Sequence, residues 1–590
     1  MSKVAFLISD GQEGSSQKIA RILDLFRMPW RQLSPSALLD GVTDAESYVV
    51  LCPMPLLGRV LSEWTPGPGM PPLLEQADSV FLYGAEFGTA TREVFGRLGL
   101  DFAALILLRG QQIPCTISGH SLGLCGPMAG LKMDIPLQHP QEVIVPCSVM
   151  DPLISTKEGF VFGAVTFKGK RWYLSTGDIV DVCQPLNKGY FDVADYFFSA
   201  VPVVMYLRYV FKDSSLGPAE QGACLIVDDP VLRPVYGFVN FQELTRLALE
   251  HDFSYNVAFI PWNWRRSQSP VVDLFRRYPD RLSISIHGCD HTSLEFAADS
   301  MWLMNRQAKL AYGRMNKHAK RTGLAYDPLM IFPQGAFSTT ALRVLKHNGF
   351  IGAVNTELVP TDCSKGTLIA DTWQMAILRY ADFPIFTRRY AFHGMHNFAF
   401  DLLLGKPCLI VTHHSDFRNN CMDVVGFIDQ LNALQVNLKW HSLGDVIRHS
   451  YQVQSDKGVL QIGMFGNEIF LTNGDPVFRR AVVTKDEHDA DAIDRILANG
   501  QHVAFTVGDG IIRFEVELAP RSKTYVRVTY KDLYTHTLDY QSVGVQSRIA
   551  ARRYLSEFRD ESQARIPVAY EYAGRVKNWF SRARRRSNSN

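Results

Sequence analysis

The sequence lacks the features that mark disulfide-bonded, exported and membrane-spanning proteins. It contains ten cysteines among 590 residues, mostly inside apolar runs and with no C-x-x-C pair, so we expect buried reduced thiols rather than a disulfide framework. The first apolar stretch, residues 4–9, is too short for a secretion signal. The most apolar interior segment, residues 197–211, is interrupted by Pro202 and Arg208 and is too short to span a bilayer. These absences predict a cytoplasmic location.

Neither sign of charge is in excess, since 61 basic and 59 acidic side chains give a net charge of +2. The balance is uneven along the chain, because residues 573–590 contain basic side chains and no acidic ones. The mildly acidic remainder argues against a nucleic-acid partner. The basic tail suits contact with an anionic membrane, which would make the protein peripheral at the inner face of the membrane. A solvated terminus is the commoner outcome for such a segment.

The chain is too long for a single hydrophobic core, and its patterns predict an α/β multidomain protein with four regions. Residues 1–207 alternate short apolar strands with helical stretches, which predicts a doubly wound α/β domain. Residues 220–451 repeat a strand and a helix regularly, which predicts a (β/α) barrel. Residues 452–535 carry short alternating runs between turns, which predicts a small β-sandwich with one helix over residues 487–498. Residues 536–590 are a helix-prone basic tail.

Three apolar runs in the predicted barrel end in side chains that bind metals or transfer protons. These side chains are Asp228 and Asp229, His287 and His291, and His413 and His414. Because the carboxyl ends of parallel strands meet at one edge of a barrel, we expect them to lie close together. An Asp pair with two histidines supplies the ligands for one divalent metal and leaves one carboxylate free as a base. The sequence therefore predicts a metal-dependent hydrolase.

The order of these motifs resembles that of the NodB-homology, or polysaccharide deacetylase, family over residues of about 220–450. The resemblance also includes Phe332-Pro333-Gln334-Gly335 and Ile410-Val411-Thr412-His413. It implies a distorted (β/α) barrel with a divalent metal, usually zinc, that removes acetyl groups from N- or O-acetylated sugars. The roles it implies are Asp228 as general base, Asp229, His287 and His291 as metal ligands, and His413, across the cleft, as general acid.

Three positions depart from the family pattern. Pro230 follows the Asp pair where the family has Gly, and Gly288 follows the first histidine where the family has Ser or Thr. Ile331 replaces an Arg that orients the catalytic Asp and holds it ionised. Candidates to replace that Arg are Arg233, Arg265 and Arg379. The departures keep open an alternative function, a glycan-binding or assembly protein whose barrel has lost its chemistry.

Other residues are expected to bind a carbohydrate or an acylated small molecule. Trp262 and Trp264 follow a predicted strand, so their indoles suit stacking on a sugar, although simple packing explains them equally well. Pro333, Gly335 and His414 belong to the motifs that carry the resemblance, and we expect them to line the substrate site.

One motif in the N-terminal region points to a different chemistry. Residues 119–123, Gly-His-Ser-Leu-Gly, match the G-x-S-x-G elbow of serine hydrolases and would make Ser121 a nucleophile. The Gly-rich residues that follow are poor helix formers, so a turn is favoured over a serine esterase. The region as a whole loosely resembles flavodoxin-like or glutamine-amidotransferase-like domains. It has no cysteine nucleophile in an elbow, so we expect a binding or scaffolding role.

Overall fold

The computed structural model describes residues 3–11, 14–41, 47–64, 69–100, 103–363, 366–434, 436–533 and 542–565. The basic cluster of residues 573–590 lies outside the described residues. The described part is a mixed α/β structure with a nearly closed, parallel, barrel-like sheet at its centre. The domain boundaries expected from the sequence stay a prediction.

The N-terminal region contains an eleven-stranded sheet that is parallel on one side only. Its parallel strands lie in the order Trp30–Leu33, Val4–Ile8, Tyr48–Pro53, Ser79–Tyr83 and Lys170–Ser175. Its other strands, which pair antiparallel, are Ala104–Leu108, Gln112–Ile117, Lys132–Pro136, Gln141–Val145, Met150–Ser155 and Phe160–Phe167. The helices are Gly14–Leu25, Ala37–Asp40, Met54–Glu63, Pro72–Gln76, Thr89–Arg97, Leu122–Cys125 and Phe197–Val210. The sheet is therefore doubly wound in its parallel half and antiparallel, with several non-consecutive neighbours, in the other.

Ser121 does not lie on a nucleophile elbow. The preceding strand, Gln112–Ile117, pairs antiparallel with both of its neighbours, and the following helix, Leu122–Cys125, is a single turn. A nucleophile elbow needs a strand of a central sheet that runs directly into a full helix. The structure thus favours the turn over the serine esterase.

One stretch among the described residues, Val193–Val210, has the length and composition of a membrane span. It consists of a 3-10 turn, Val193–Tyr196, that continues into the helix Phe197–Val210 with Pro202 inside it. The segment is therefore longer than the sequence suggested, because the turn extends it at the amino end. Most of its residues (61%) are buried inside the fold, and a core helix of this kind has the same composition as a membrane span.

Parallel strands form the barrel-like sheet, and they appear where the sequence predicted alternating strands and helices. In spatial order they are Ile385–Thr387, Gly352–Asn355, Asp327–Ile331, Leu282–His287, Tyr255–Phe259, Gly222–Asp228, Cys408–Thr412 and Arg389–Tyr390, with Lys439–Trp440 also paired to Gly222–Asp228. Around them lie the helices Phe241–Glu250, Ser269–Arg277, Met301–Thr322, Thr339–His347, Ile369–Trp373, Met395–Leu403, Met422–Asn432 and Leu443–Arg448. The two edge strands are consecutive in the chain, so Arg388, between them, sits where the sheet nearly closes.

Two further sheets, formed mostly by residues after the barrel, share one hydrophobic core. The first contains Gly217–Pro218, Gln452–Asp456, Val459–Gly463, Arg479–Asp486, Phe505–Gly508 and Ile511–Leu518, and the second contains Glu468–Asn473, Ile493–Ala498, Gln501–His502 and Ser522–Tyr530. The last described element is the helix Val543–Arg565.

The predicted helix over residues 487–498 is wrong, because Ile493–Ala498 is a strand paired antiparallel with Ser522–Tyr530. The pairing register shifts between Ile493 and Arg495, where the strand carries an irregularity. The shift leaves both Ile493 and Ile496 buried although they are three residues apart. Buried residues three apart are typical of a helix, and an irregular strand with a register shift gives the same spacing.

Candidate metal centre

Three predicted ligands, distant in sequence, meet at the carboxyl ends of the barrel strands. Asp229 directly follows the strand Gly222–Asp228, and His287 ends the strand Leu282–His287. The Asp229 Oδ1 atom lies 3.4 Å from His287 Nε2 and 3.0 Å from His291 Nε2. One ligand atom from each residue lies within 4.8 Å of the others. The three side chains can therefore hold one cation between them.

Hydrogen bonding orients His287 as a ligand. Its Nδ1 atom lies 3.0 Å from the carbonyl oxygen of Ile331, and a carbonyl only accepts, so Nδ1 carries the proton. The lone pair is then on Nε2, which faces Asp229. A histidine ligand whose other nitrogen donates to a backbone carbonyl is the arrangement that metal sites use to fix the ring.

The donor set fits a divalent metal. The buried Oδ1 atom of Asp229 accepts no aligned hydrogen bond, although two imidazole nitrogens lie within 3.4 Å of it. Burial by itself would raise the pKa of Asp229, but His291 and His287 outweigh it and hold that pKa well below its usual value. An ionised carboxylate with two imidazoles is a donor set typical of catalytic zinc.

Asp228 forms a buried ion pair with a residue that the sequence analysis did not identify. Arg388 donates from Nη1 to Asp228 Oδ1 at 2.7 Å and from Nη2 to Oδ2 at 2.8 Å, and both side chains are buried. Burial would raise the pKa of Asp228, but Arg388, His287 and His413 outweigh it, so the pKa lies below its ordinary value. The carboxylate is therefore ionised and fixed in orientation.

None of the three arginines proposed to replace the family Arg does so. Arg233 forms ion pairs with Glu557 and Glu561. The guanidinium of Arg265 lies over the ring of Trp264, and Arg379 lies 3.6 Å from Asp371. The cation comes instead from Arg388, which follows the apolar strand Ile385–Thr387 and precedes Arg389. The sequence signal that could have identified this cation was the arginine pair at the end of an apolar run.

His413 lies beside the predicted base rather than across a cleft from it. Its Nε2 atom is 4.0 Å from Asp228 Oδ2, and its ring stacks on Tyr390 with a centroid distance of 6.0 Å. The side chain is 40% exposed, whereas Asp228 is buried. His413 is thus more exposed to solvent than Asp228 and the three proposed metal ligands.

The loop that carries His291 is held by one carboxylate. Glu295, which is buried, accepts backbone N–H groups of four consecutive residues, 289–292, at 2.7 to 3.3 Å. The backbone of His291 has a φ of 55°, a conformation that needs such support in a residue with a side chain. Sequence reasoning missed Glu295 because its partners are backbone groups, which leave no pattern in side chains.

Contacts with the same loop explain why position 288 is a glycine rather than a serine or threonine. Its φ is +61°, and a Cβ atom there would lie 2.0 Å from Glu295 Oε1 and 2.5 Å from Pro333 Cγ. A serine or threonine would collide with both neighbours. Pro333, one of the predicted substrate residues, therefore packs against the metal loop, and the departure from the family pattern has a steric cause.

The other predicted substrate residues lie in different surroundings. Gly335 is buried against Glu357, where a Cβ atom would lie 2.6 Å from Glu357 Cγ. Trp264 lies under Arg265 and Lys317. Trp262 and His414 both contact the C-terminal helix Val543–Arg565, through Tyr554 and Asp560 respectively. The helix covers part of the surface that the sequence assigned to substrate.

Comparisons of this chain with known proteins found similarity to solved structures. No protein-family model and no curated protein matches it. Similar solved structures include a family 4 carbohydrate esterase from Streptomyces lividans in complex with acetate, with 15% identity over 37% of this chain and 89% of that chain and a TM-score of 0.22. A family 4 carbohydrate esterase from Bacillus anthracis has 14% identity over 40% of this chain and 86% of that one, with a TM-score of 0.25. A CE4 family pseudoenzyme from Bacillus anthracis has 10% identity over 38% and 64%, with a TM-score of 0.22.

Proposed function

We propose that the protein is a metal-dependent hydrolase that removes an acyl group, such as acetyl, from a sugar or a related amide. The observation that carries the proposal is the meeting of Asp229, His287 and His291 next to an ionised, fixed Asp228. A metal-binding triad with an adjacent carboxylate is the arrangement that water-activating hydrolases need.

The proposed ligands of the metal are Asp229, His287 and His291, and zinc suits their nitrogen and oxygen donors. When bound by three protein ligands, such a metal lowers the pKa of a water towards roughly 7 and polarises a carbonyl oxygen. The protein's part is to hold the ligands in place. Ile331, through its carbonyl, and Glu295, through the backbone of the loop, serve that purpose.

Asp228 takes the proton of the attacking water. The water oxygen bonds to the acyl carbon while its proton moves to a carboxylate oxygen of Asp228. Arg388 keeps that carboxylate ionised until the proton arrives and fixes the direction of its lone pairs. Each oxygen of Asp228 has a second lone pair besides the one that accepts from Arg388.

His413 gives a proton to the leaving group. As the bond between the acyl carbon and the sugar nitrogen or oxygen breaks, that atom takes the proton from His413, and the products are the free acid and the amine or alcohol. His413 suits the step because it is half-exposed and lies within 4.0 Å of Asp228. Asp228 therefore acts on the attacking water, and His413 acts next on the leaving atom.

The test uses the full-length chain loaded with zinc and measured for metal content and for release of acetate from acetylated sugars and a chromogenic acetate ester. Asp228→Asn and His291→Ala should each abolish turnover, and His291→Ala should also lower the bound metal below one per chain. His488→Ala is the matched control, since His488 is 74% exposed and far from these ligands in the chain. Wild-type turnover in either active-site variant would defeat the proposal.

A second candidate function is a glycan-binding protein without turnover. One observation favours it: both oxygens of Asp228 are already engaged by Arg388, which weakens Asp228 as a base. This candidate predicts tight binding of an acetylated oligosaccharide together with no acetate release from the metal-loaded protein.

A further inference from the structure

The C-terminal helix Val543–Arg565 docks on loops that follow three barrel strands, and one of these loops begins at the metal ligand Asp229. The Tyr236 hydroxyl donates to Asp560 Oδ2 at 2.9 Å, and Arg266 donates to both oxygens of Glu557 at 3.0 and 2.7 Å. Arg233 forms ion pairs with Glu557 and Glu561, and His414 lies 3.5 Å from Asp560. These barrel residues follow Asp229, Trp262 and His413 closely in the chain, so the helix lies over the mouth of the barrel on the side of the metal ligands.

The buried face of this helix is mostly charged. It carries Arg553, Glu557 and Asp560 besides one apolar residue, Ile549, whereas Leu555 and Phe558 are 69% and 71% exposed. A helix that covered a hydrophobic core would bury its apolar side chains instead. The surface beneath this helix is therefore a polar one, as a carbohydrate cleft is.

Arg553 is a buried charge on the face of the helix that contacts the barrel. It is 4% exposed, and its Nε atom is buried without a hydrogen bond. Within the ranges that the structure describes, no ion pair joins its guanidinium to a carboxylate. A buried guanidinium without a counter-charge is costly, and a ligand anion removes that cost.

The neighbours of Arg553 place it at the barrel mouth. The adjacent Tyr554 packs on Trp262 with a ring distance of 5.7 Å, and Glu557, one turn further along the same face, bonds to Arg266. Glu557 also forms an ion pair with Arg233, which follows Asp229 by four residues in the chain. Arg553 thus sits between the Trp262 loop and the loop that follows the metal ligand Asp229.

We propose that Arg553 binds an anionic group of the substrate, a carboxylate or a phosphate, and that the substrate is an acylated sugar with negative charge close to the acyl group. The planar guanidinium is the side chain best suited to hold either group through two parallel hydrogen bonds. The inference rests on the function proposed above and names the substrate class of that site. The helix contributes a specificity-determining residue in this arrangement, and Glu557, Asp560 and Glu561 anchor it.

The test measures kcat/KM of the full-length, zinc-loaded chain on three matched substrates. They are the methyl glycoside of an N-acetylhexosamine, the corresponding N-acetylhexosaminuronic acid and the N-acetylhexosamine 1-phosphate. The variants are Arg553→Met, Arg553→Lys and the control Arg552→Met, which makes the same change at an exposed position of the same helix. Binding of the two anionic sugars to metal-free protein is measured by calorimetry in parallel.

We expect Arg553→Met to lower kcat/KM for at least one anionic substrate by roughly 10- to 100-fold, the range for a lost charge-assisted bidentate contact. The neutral glycoside should change by less than about threefold, Arg553→Lys should be intermediate, and Arg552→Met should match wild type. The anionic sugar whose kcat/KM falls more shows whether Arg553 binds a carboxylate or a phosphate.

The outcomes separate this inference from the proposed function. Equal losses on neutral and anionic substrates would overturn the role of Arg553 while leaving the hydrolase intact. Absence of turnover in wild type, together with calorimetric binding of an anionic sugar that Arg553→Met abolishes, would overturn the hydrolase and support the subsite. Equal binding of the anionic sugars by wild type and Arg553→Met would also overturn the subsite.

Discussion

Arg388 donates to both carboxylate oxygens of Asp228, from a position 160 residues further along the chain. The arginine follows Ile385–Thr387 and precedes Arg389–Tyr390, the two edge strands of the barrel-like sheet. The residue that holds the proposed base ionised therefore lies at the gap where the sheet nearly closes.

The first prediction concerns Arg388→Met. Without the guanidinium, burial raises the pKa of Asp228, since Arg388 is the largest of the charges that oppose it. A raised pKa means that the carboxylate is protonated over a wider acidic range, so the acidic limb of the kcat/KM profile should move to higher pH. An uncompensated buried charge should also lower the free energy of unfolding at neutral pH by about 3–5 kcal/mol.

The measurement is a pH profile of kcat/KM together with urea unfolding of the full chain. Arg388→Lys is the informative companion, because it keeps the charge and loses the fork that matches two oxygens. It should restore part of the stability and shift the acidic limb less. An acidic limb that stays in place in Arg388→Met would show that Asp228 is not the titrating group.

The residues that could be predicted from the sequence lie at the ends of apolar runs. Asp228, Asp229, His287, His291 and His413 each end or follow a strand, and the parallel order of those strands brings them together. The period of the hydrophobic pattern locates the strand ends, and it is therefore enough to predict such residues. The prediction of which arginine pairs with Asp228 was wrong, because Arg388 takes that position.

The residues that were missed act through contacts without a sequence period. Glu295 binds backbone N–H groups, and Arg388 reaches its partner across the barrel. The docking of the C-terminal helix was missed because most of its buried side chains are charged, whereas a docked amphipathic helix usually buries apolar ones. The strand Ile493–Ala498 was missed because a bulge imitates a helical spacing.

The second prediction concerns Glu295. Glu295→Gln removes the negative charge that gathers the backbone N–H groups of residues 289–292, so the loop should no longer hold His291 in its left-handed conformation. We expect zinc affinity to fall roughly 10- to 100-fold, as for other residues that orient ligands. Competition with a chromophoric chelator measures the affinity. Glu517→Gln, an exposed position, should bind zinc like wild type, and unchanged affinity in Glu295→Gln would mean that the loop is held by other contacts.

The third prediction concerns the basic tail. Residues 573–590 carry basic and no acidic side chains, and the helix that precedes them exposes Leu555 and Phe558. We expect the full chain to pellet with anionic vesicles at low salt, and expect pelleting to fall at high salt because the attraction is screened. A chain that ends at Gly574 should remain in the supernatant. Equal pelleting of the two chains would end the membrane proposal.

The fourth prediction contrasts two glycines. Gly288→Ala places a methyl group 2.0 Å from Glu295 Oε1 and 2.5 Å from Pro333 Cγ at a positive φ, so the metal loop must move. We expect a loss of at least about 1–3 kcal/mol in the free energy of unfolding, together with weaker zinc binding. Gly313→Ala lies in the helix Met301–Thr322 with open space around the new methyl group, and it should stabilise the chain by roughly 0.5–1 kcal/mol without touching zinc affinity. Urea unfolding and chelator competition on both variants check the pair. If Gly288→Ala binds zinc as tightly as wild type, the steric account of this glycine is wrong. Gly313→Ala tests only whether alanine stabilises the helix Met301–Thr322.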